Sequence, residues 1–318
     1  MGRKLTKQQQ RILEERRQEQ LASDCEHQYK GRIISQHGAH VTLEDEAGNV
    51  HKASFRQSLG ALVCGDFVYY QFEQEEPVVT TRLPRTNIFS RLGFGGKEKI
   101  LAANLDQIFI VLAPEPEPSP SLIDRYLIAT HYLGIQTHLL GNKFDLIENP
   151  DQWDFLDDYR GLNLSLYQTS IHDPESIAIL REGLSQKTSI FVGQSGVGKS
   201  SLTNKLIPEL NLQTQKINES TGLGNHTTSS TTLYHLPKEN TFLIDSPGVR
   251  SFNIEHLPVS AIDDGFPEIA PLTRQCKFSN CRHLQDPHCA VKDALERGDI
   301  TERRVESYMQ ILASLKEA

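Results

Sequence analysis

No stretch of this chain is long enough and apolar enough to cross a bilayer. Its longest apolar run is about that of residues 108–113, whereas a spanning helix needs roughly 20 such residues. An export signal is missing as well, because the first residues are polar and basic. The expected compartment is therefore the cytoplasm, with no membrane partner. Cysteine is scarce, at 5 in 318 residues, and the clustering of three of them, without export, favours a metal over a disulfide framework. Nor is there a surplus of positive charge. The formal net charge of −8 argues against a uniformly basic nucleic-acid binder and leaves such contacts to local patches. Internal repeats and long low-complexity segments are absent too. What is present is an ordinary globular composition, 37% hydrophobic and 23% charged, in a chain long enough for two or three structural units.

Along the chain the texture changes several times. Residues 1–20 carry Arg3, Lys4, Lys7, Arg11, Arg16 and Arg17 with little apolar surface, which describes a basic arm that is either a solvated tail or an RNA contact. Short alternating runs then cover residues 29–35, 40–43, 50–55, 67–72 and 78–83, punctuated by Gly38, Gly48, Gly65 and Pro77. Five short strands at this spacing predict a small closed barrel, of the OB-fold or an SH3-like kind. The region is slightly acidic, so Phe67, Tyr69, Tyr70 and Phe72 are read as core rather than as base-stacking platforms. Residues 82–99 read as a flexible basic linker, suited to a phosphate backbone or serving as a solvated hinge. From residue 105, continuous apolar runs at 107–112, 136–140, 189–192 and 241–244 alternate with helix-length stretches such as 121–133. That alternation predicts a parallel sheet covered on both faces. A loop, a cysteine cluster and a last helical stretch near 299–316 follow Pro258.

Two motifs carry the chemistry. Gly193-Gln194-Ser195-Gly196-Val197-Gly198-Lys199-Ser200 has the form G-x-x-x-x-G-K-[ST] between a strand-like run and a helix-like stretch beginning at Ser201. In such a loop the backbone N–H groups turn inward around phosphates, Lys199 reaches their β and γ oxygens, and Ser200 offers a hydroxyl to Mg²⁺. The helix N-terminus adds a favourable dipole. Asn142-Lys143-Phe144-Asp145 has the form N-K-x-D at the carboxyl end of another predicted strand, the edge where ligands gather in open α/β sheets. A carboxylate at Asp145 accepts from guanine N1–H and its exocyclic amine, a pair that adenine does not present. The phosphate loop alone does not separate ATPase, kinase and GTPase, and N-K-x-D alone is an ordinary turn; together they describe a GTP site. Asp245-Ser246-Pro247-Gly248 adds a carboxylate for Mg²⁺ and a Gly248 amide for the γ-phosphate. Thr227, in the stretch 222–228, is suited to closing over the metal, and Thr169-Ser170 to the base edge.

Position 249, where Ras-like enzymes place a glutamine, is Val249. Slow intrinsic turnover is expected, with the attacking water positioned by a partner or by another residue, for which His226 is the candidate. Further on, Cys276-x4-Cys281-x-His283-x5-Cys289 offers three thiolates and an imidazole, the donor set of a closed structural zinc site; His288 competes for the histidine place.

The base reader precedes the phosphate loop, the reverse of an ordinary G domain. With that order, the run Ala103-Asn104-Leu105-Asp106-Gln107, Asp124-Arg125-Tyr126 and the cysteine cluster, nearly the whole chain resembles the ribosome small subunit-dependent GTPase A family, the YjeQ-like circularly permuted GTPases. D-S-P-G for D-T-P-G, and Thr169-Ser170 for a usual S-A, are its departures. The resemblance implies a multidomain chain: a basic arm (1–26), an OB-fold β-barrel (27–84), a circularly permuted α/β P-loop GTPase domain (85–255) and a small zinc-binding helical domain (256–318). It implies GTP and GDP as ligands, Mg²⁺ with GTP and one structural Zn²⁺ per chain. It also implies a late role in maturation of the small ribosomal subunit, through contact with its rRNA and with hydrolysis stimulated by that particle. Lys199, Ser200, Thr227, Asp245 and Gly248, with His226, would carry catalysis. Asn142, Lys143, Asp145, Ser170 and the loop from Gly193 to Ser201 would hold the nucleotide. A guanine-nucleotide-sensing RNA-binding scaffold with incidental hydrolysis is the alternative, and a monomer suffices for either. The permutation sets the switch-bearing half directly before the cysteine domain, so movement at Gly248 would pass through residues 249–258.

Overall fold

A computed structural model describes residues 28–93, 96–147, 149–162, 164–207, 231–236, 240–248, 252–258, 260–278, 281, 283 and 286–316. The basic arm, His226, Thr227 and Val249 lie outside the described residues. Among those described, no helix is long and apolar enough to cross a membrane. The chain divides into two units, one holding residues up to Pro84 apart from Val63–Gly65, the other holding Val63–Gly65 and Arg85 onward.

In the first unit β1 (Tyr29–His37), β2 (His40–Asp45), β3 (Val50–Phe55), β4 (Phe67–Glu73) and β5 (Glu76–Arg82) close into a barrel in the order β1-β2-β3-β5-β4. Antiparallel β1–β4 pairing shuts it, and β3–β5 is the parallel join that distinguishes it from a simple meander. A register shift between Ile33 and Ser35 bends β1. Alternate residues turn inward and form the core: Ile33, Val41, Leu43, Ala53, Val68, Tyr70 and Val79. The aromatic assignment needs correction. Only Tyr70 of its four rings is buried; Phe67 and Tyr69 occupy the outward positions of β4, and Phe72 lies 47% exposed at the strand end. The Arg32 guanidinium covers the Phe67 ring at 5.0 Å.

The second unit opens with β6 (Ile88–Leu92) and β7 (Glu98–Ala103), an antiparallel pair where a flexible linker is expected. The reason is apolar alternation concealed among basic residues: Phe89, Ala102 and Ala103 are fully buried. Six strands follow in the sheet order β10-β9-β8-β11-β13-β12: β8 (Gln107–Leu112), β9 (Gln136–Gly141), β10 (Ser165–Gln168), β11 (Thr188–Val192), β12 (Thr232–His235) and β13 (Phe242–Asp245). All pairings are parallel except β12–β13 at one edge. Every residue of β8 and β11 is buried, the mark of strands covered on both faces.

Helix α1 (Pro120–Tyr132) begins at an N-cap, Ser119, with proline in its first turn, and α2 (Pro174–Leu184) repeats the device with Asp173. α3 (Lys199–Leu206) follows β11. Leu180 and Leu184 of α2 and Leu202 and Leu206 of α3 pack on Phe109, Leu140, Phe191 and Leu243. Past the sheet come α4 (Ser260–Gly265), α5 (Ala270–Thr273), α6 (Ala290–Arg297) and α7 (Glu302–Lys316). Arg304 of α7 is buried; it pairs with Asp124 of α1, bonds Glu268 at 2.6 Å and the Gly265 carbonyl at 3.0 Å, and stacks over Phe266 at 4.1 Å.

Candidate nucleotide and metal sites

Outward from the adjacent pair β8 and β11 the sheet grows in opposite directions, and such a switch point opens a crevice at the carboxyl ends of the strands. Gly193 leaves β11 there with φ 139°, and an added Cβ would strike the carbonyl of Val111. Glycine is the residue that can make this turn. The loop then curls into α3, whose first residue is Lys199. Buried Lys199 donates from Nζ to the carbonyls of Gln194 (2.8 Å) and Gly193 (3.2 Å). Burial lowers its pKa to about 8, against the pull of Asp245. Ser200 Oγ donates to Asp245 Oδ2 at 2.7 Å, so a hydroxyl and a buried carboxylate converge beside the loop. Gly248 lies so close that a Cβ would sit 2.5 Å from Ser195 Cα and 3.0 Å from Lys199 Nζ. Any side chain at 248 would push the D-S-P-G segment off the phosphate loop.

The N-K-x-D segment is tied to the same loop. Asn142 Nδ2 donates to the Val197 carbonyl at 2.8 Å, and Lys143 Nζ to the carbonyls of Gly196 (2.7 Å) and Glu115 (3.0 Å). Lys143 takes up the left-handed conformation, φ 57°, that turns the chain from β9 into the short 3₁₀ turn Phe144–Leu146. Thr169 and Ser170 come alongside from the end of β10. The Phe144 amide bonds the Thr169 carbonyl at 3.1 Å, and Thr169 Oγ1 donates to Asn142 Oδ1 at 3.4 Å. The Ser170 hydroxyl bonds Asp145, the main reason that carboxyl's pKa is lowered. Asn142, Lys143, Asp145, Leu146, Ile171, His172, Gly198 and Ser201 enclose a cavity of about 200 Å³. Leu146, Ile171, His172 and the Glu115 carbonyl escape the sequence reading, because apolar walls and main-chain acceptors leave no motif.

In the C-terminal part, the ligand atoms of Cys276, Cys281, His283 and Cys289 all lie within 4.8 Å of one another. His283 Nδ1 is 3.5 Å from Cys276 Sγ and 3.6 Å from Cys289 Sγ. His288 is exposed and outside this group, which leaves His283 as the histidine of the set. Three soft sulfurs and one imidazole, with no open fourth place, suit a closed zinc site.

The family model described as RsgA GTPase matches residues 82–255. The small ribosomal subunit biogenesis GTPase RsgA of Hahella chejuensis is 38% identical over 338 residues, covering 99% of this chain and 97% of its own. That of Pseudomonas putida is 40% identical over 94% of this chain and 90% of its own. Among solved structures, YjeQ from Thermotoga maritima is 30% identical with a TM-score of 0.69, over 92% of this chain and 99% of that one. YloQ, a circularly permuted GTPase, is 29% identical with a TM-score of 0.66, over 92% and 96%. The order of the motifs along the sheet and these matches across nearly the whole length agree: the chain belongs to the RsgA GTPase family.

Proposed function

We propose that this protein is a GTP hydrolase that binds the small ribosomal subunit and couples hydrolysis to a late step of its maturation in the cytoplasm. The observation that carries the nucleotide part is the stitching of Asn142 and Lys143 to Val197 and Gly196, which sets a pocket walled by Asp145 directly beside the phosphate loop. Asp145 reads guanine, the loop from Gly193 to Ser201 cradles the phosphates, and Ser170 orients Asp145. Water attacks the γ-phosphorus, the bond to the β–γ bridging oxygen breaks, and GDP and phosphate leave. Ser200 and Asp245, already converged, are the residues that would hold Mg²⁺, which neutralises phosphate charge when bound. Cys276, Cys281, His283 and Cys289 would hold one structural Zn²⁺. The ribosomal part rests on the names of the relatives, small ribosomal subunit biogenesis GTPases at about 40% identity.

The deciding assay is steady-state hydrolysis of GTP, with ATP as control, with and without purified small ribosomal subunits. A rise of orders of magnitude in GTP turnover with the particle, and none with ATP, is expected. Unchanged turnover would point instead to a guanine-nucleotide sensor with incidental hydrolysis.

A further inference from the structure

Tyr126 touches both ends of the phosphate machinery without belonging to any of its motifs. Its hydroxyl faces the backbone of Gly193, the first residue of the phosphate loop. Its ring, fully buried, meets Phe252 at 4.4 Å between centroids, and Phe252 is the next described residue after D-S-P-G. Phe89 of β6 completes the stack, 5.3 Å from Phe252 and 6.5 Å from Tyr126. The residues after Phe252 are fixed from the same side: the Leu92 amide bonds the Asn253 carbonyl at 3.0 Å, Arg125 pairs with Glu255 at 3.4 Å, and Ser90 meets His256 at 3.3 Å. One aromatic side chain thus references the start of the phosphate loop and the exit of the D-S-P-G segment to each other.

We propose that the Phe89–Tyr126–Phe252 stack is a positioning device that holds Gly248 against the phosphate loop and thereby sets the preference for triphosphate over diphosphate. The inference rests on the nucleotide-site reading above. Gly248 sits over Ser195 and Lys199, where a γ-phosphate is met, whereas a β-phosphate is held by the loop itself. Loosening the stack at Phe252 therefore withdraws a contact that GTP uses and GDP does not. Removing the Tyr126 hydroxyl instead takes away a polar group that faces Gly193 and acts on a loop that both nucleotides share.

The test uses the full-length, zinc-loaded protein and two probes, fluorescent GDP and a fluorescent non-hydrolysable GTP analogue. Phe252→Leu keeps an apolar side chain there but removes the stacking; it should weaken the triphosphate analogue about tenfold and GDP by less than about twofold, a differential that a merely destabilised fold would not produce. Tyr126→Phe should weaken both to a similar extent. Should Phe252→Leu not fold, Phe89→Leu loosens the same stack from the side remote from the loop and is read in the same way. Equal loss of both nucleotides, or loss of neither, in the variant that folds would overturn the proposal while leaving the nucleotide site standing. Wild type that binds neither probe would overturn both.

Discussion

Asp145 has two hydrogen-bond acceptors and no donor, and in the proposed nucleotide site the choice of base turns on that fact. Asp145→Asn puts a donor opposite one of guanine's own donors while keeping size and, through Ser170, orientation. GTP affinity should fall by at least about a hundredfold, the cost of one lost charge-assisted pair and one unpaired buried donor. Xanthosine triphosphate, which presents a carbonyl where guanine has its amine, should bind the variant better than GTP does. Competition titration against fluorescent GDP reads both numbers. Lys199 offers a second test, through protonation. Its pKa in the free protein is lowered to about 8 by burial, and polyphosphate favours the charged form, so nucleotide affinity should be greatest below that pKa and decline as pH rises through it. Between pH 7 and 8.7 the fall should be roughly fivefold, and Lys199→Arg, which stays charged, should flatten it. The acceptors and cations of this candidate site stand in sequence motifs because fixed chemistry demands those residues at fixed spacing. Its apolar wall, Leu146 and Ile171, was not, since such residues are interchangeable along a chain and acquire meaning only where the fold places them.

At the scale of elements, the strands of both sheets were readable from their periodicity: alternate burial in the barrel, continuous burial in β8 and β11. The β6–β7 pair was missed because five basic residues mask two short apolar alternations, and β12 because a four-residue edge strand carries too little pattern. Helix α7 shows what periodicity cannot reveal. Arg304 sits on its buried face, paired with Asp124 and Glu268, and no single-sequence rule assigns a charged residue to a core. Arg304→Met should cost about 3–5 kcal/mol in denaturant unfolding, because Asp124 would remain buried without its counter-charge. Adding Asp124→Asn should recover part of that loss, a non-additivity measurable in a double-mutant cycle. The cysteine cluster makes a comparable prediction for α6, whose N-cap is Cys289, accepting from the Lys292 amide at 3.5 Å. Chelation should lower the thermal midpoint and Cys289→Ser should remove bound zinc. GDP affinity should stay within about twofold, because the proposed metal ligands and the nucleotide pocket share no residue.

For the molecule as a whole, permutation changes where the switch leads. In the sheet, β11 and β13 stand side by side, so phosphate loop and D-S-P-G remain neighbours whatever the chain order. What the order alters is the continuation: the chain leaving Gly248 runs on into the cysteine-bearing segment rather than into further strands of the sheet. On its way it passes Arg125 of α1, which pairs with Glu255 at 3.4 Å and also bonds Ser314 of α7 at 3.0 Å. One guanidinium therefore touches both the exit of the switch segment and the last helix. If Gly248 moves with the γ-phosphate, the motion passes along the chain to residues 252–256, and among the described residues Arg125 links them directly to α7. Hydrogen exchange of α7 amides should accordingly differ between the GDP state and the state with a non-hydrolysable GTP analogue, and Arg125→Met should narrow the difference. Protection in α7 that is identical in the two nucleotide states would sink this coupling.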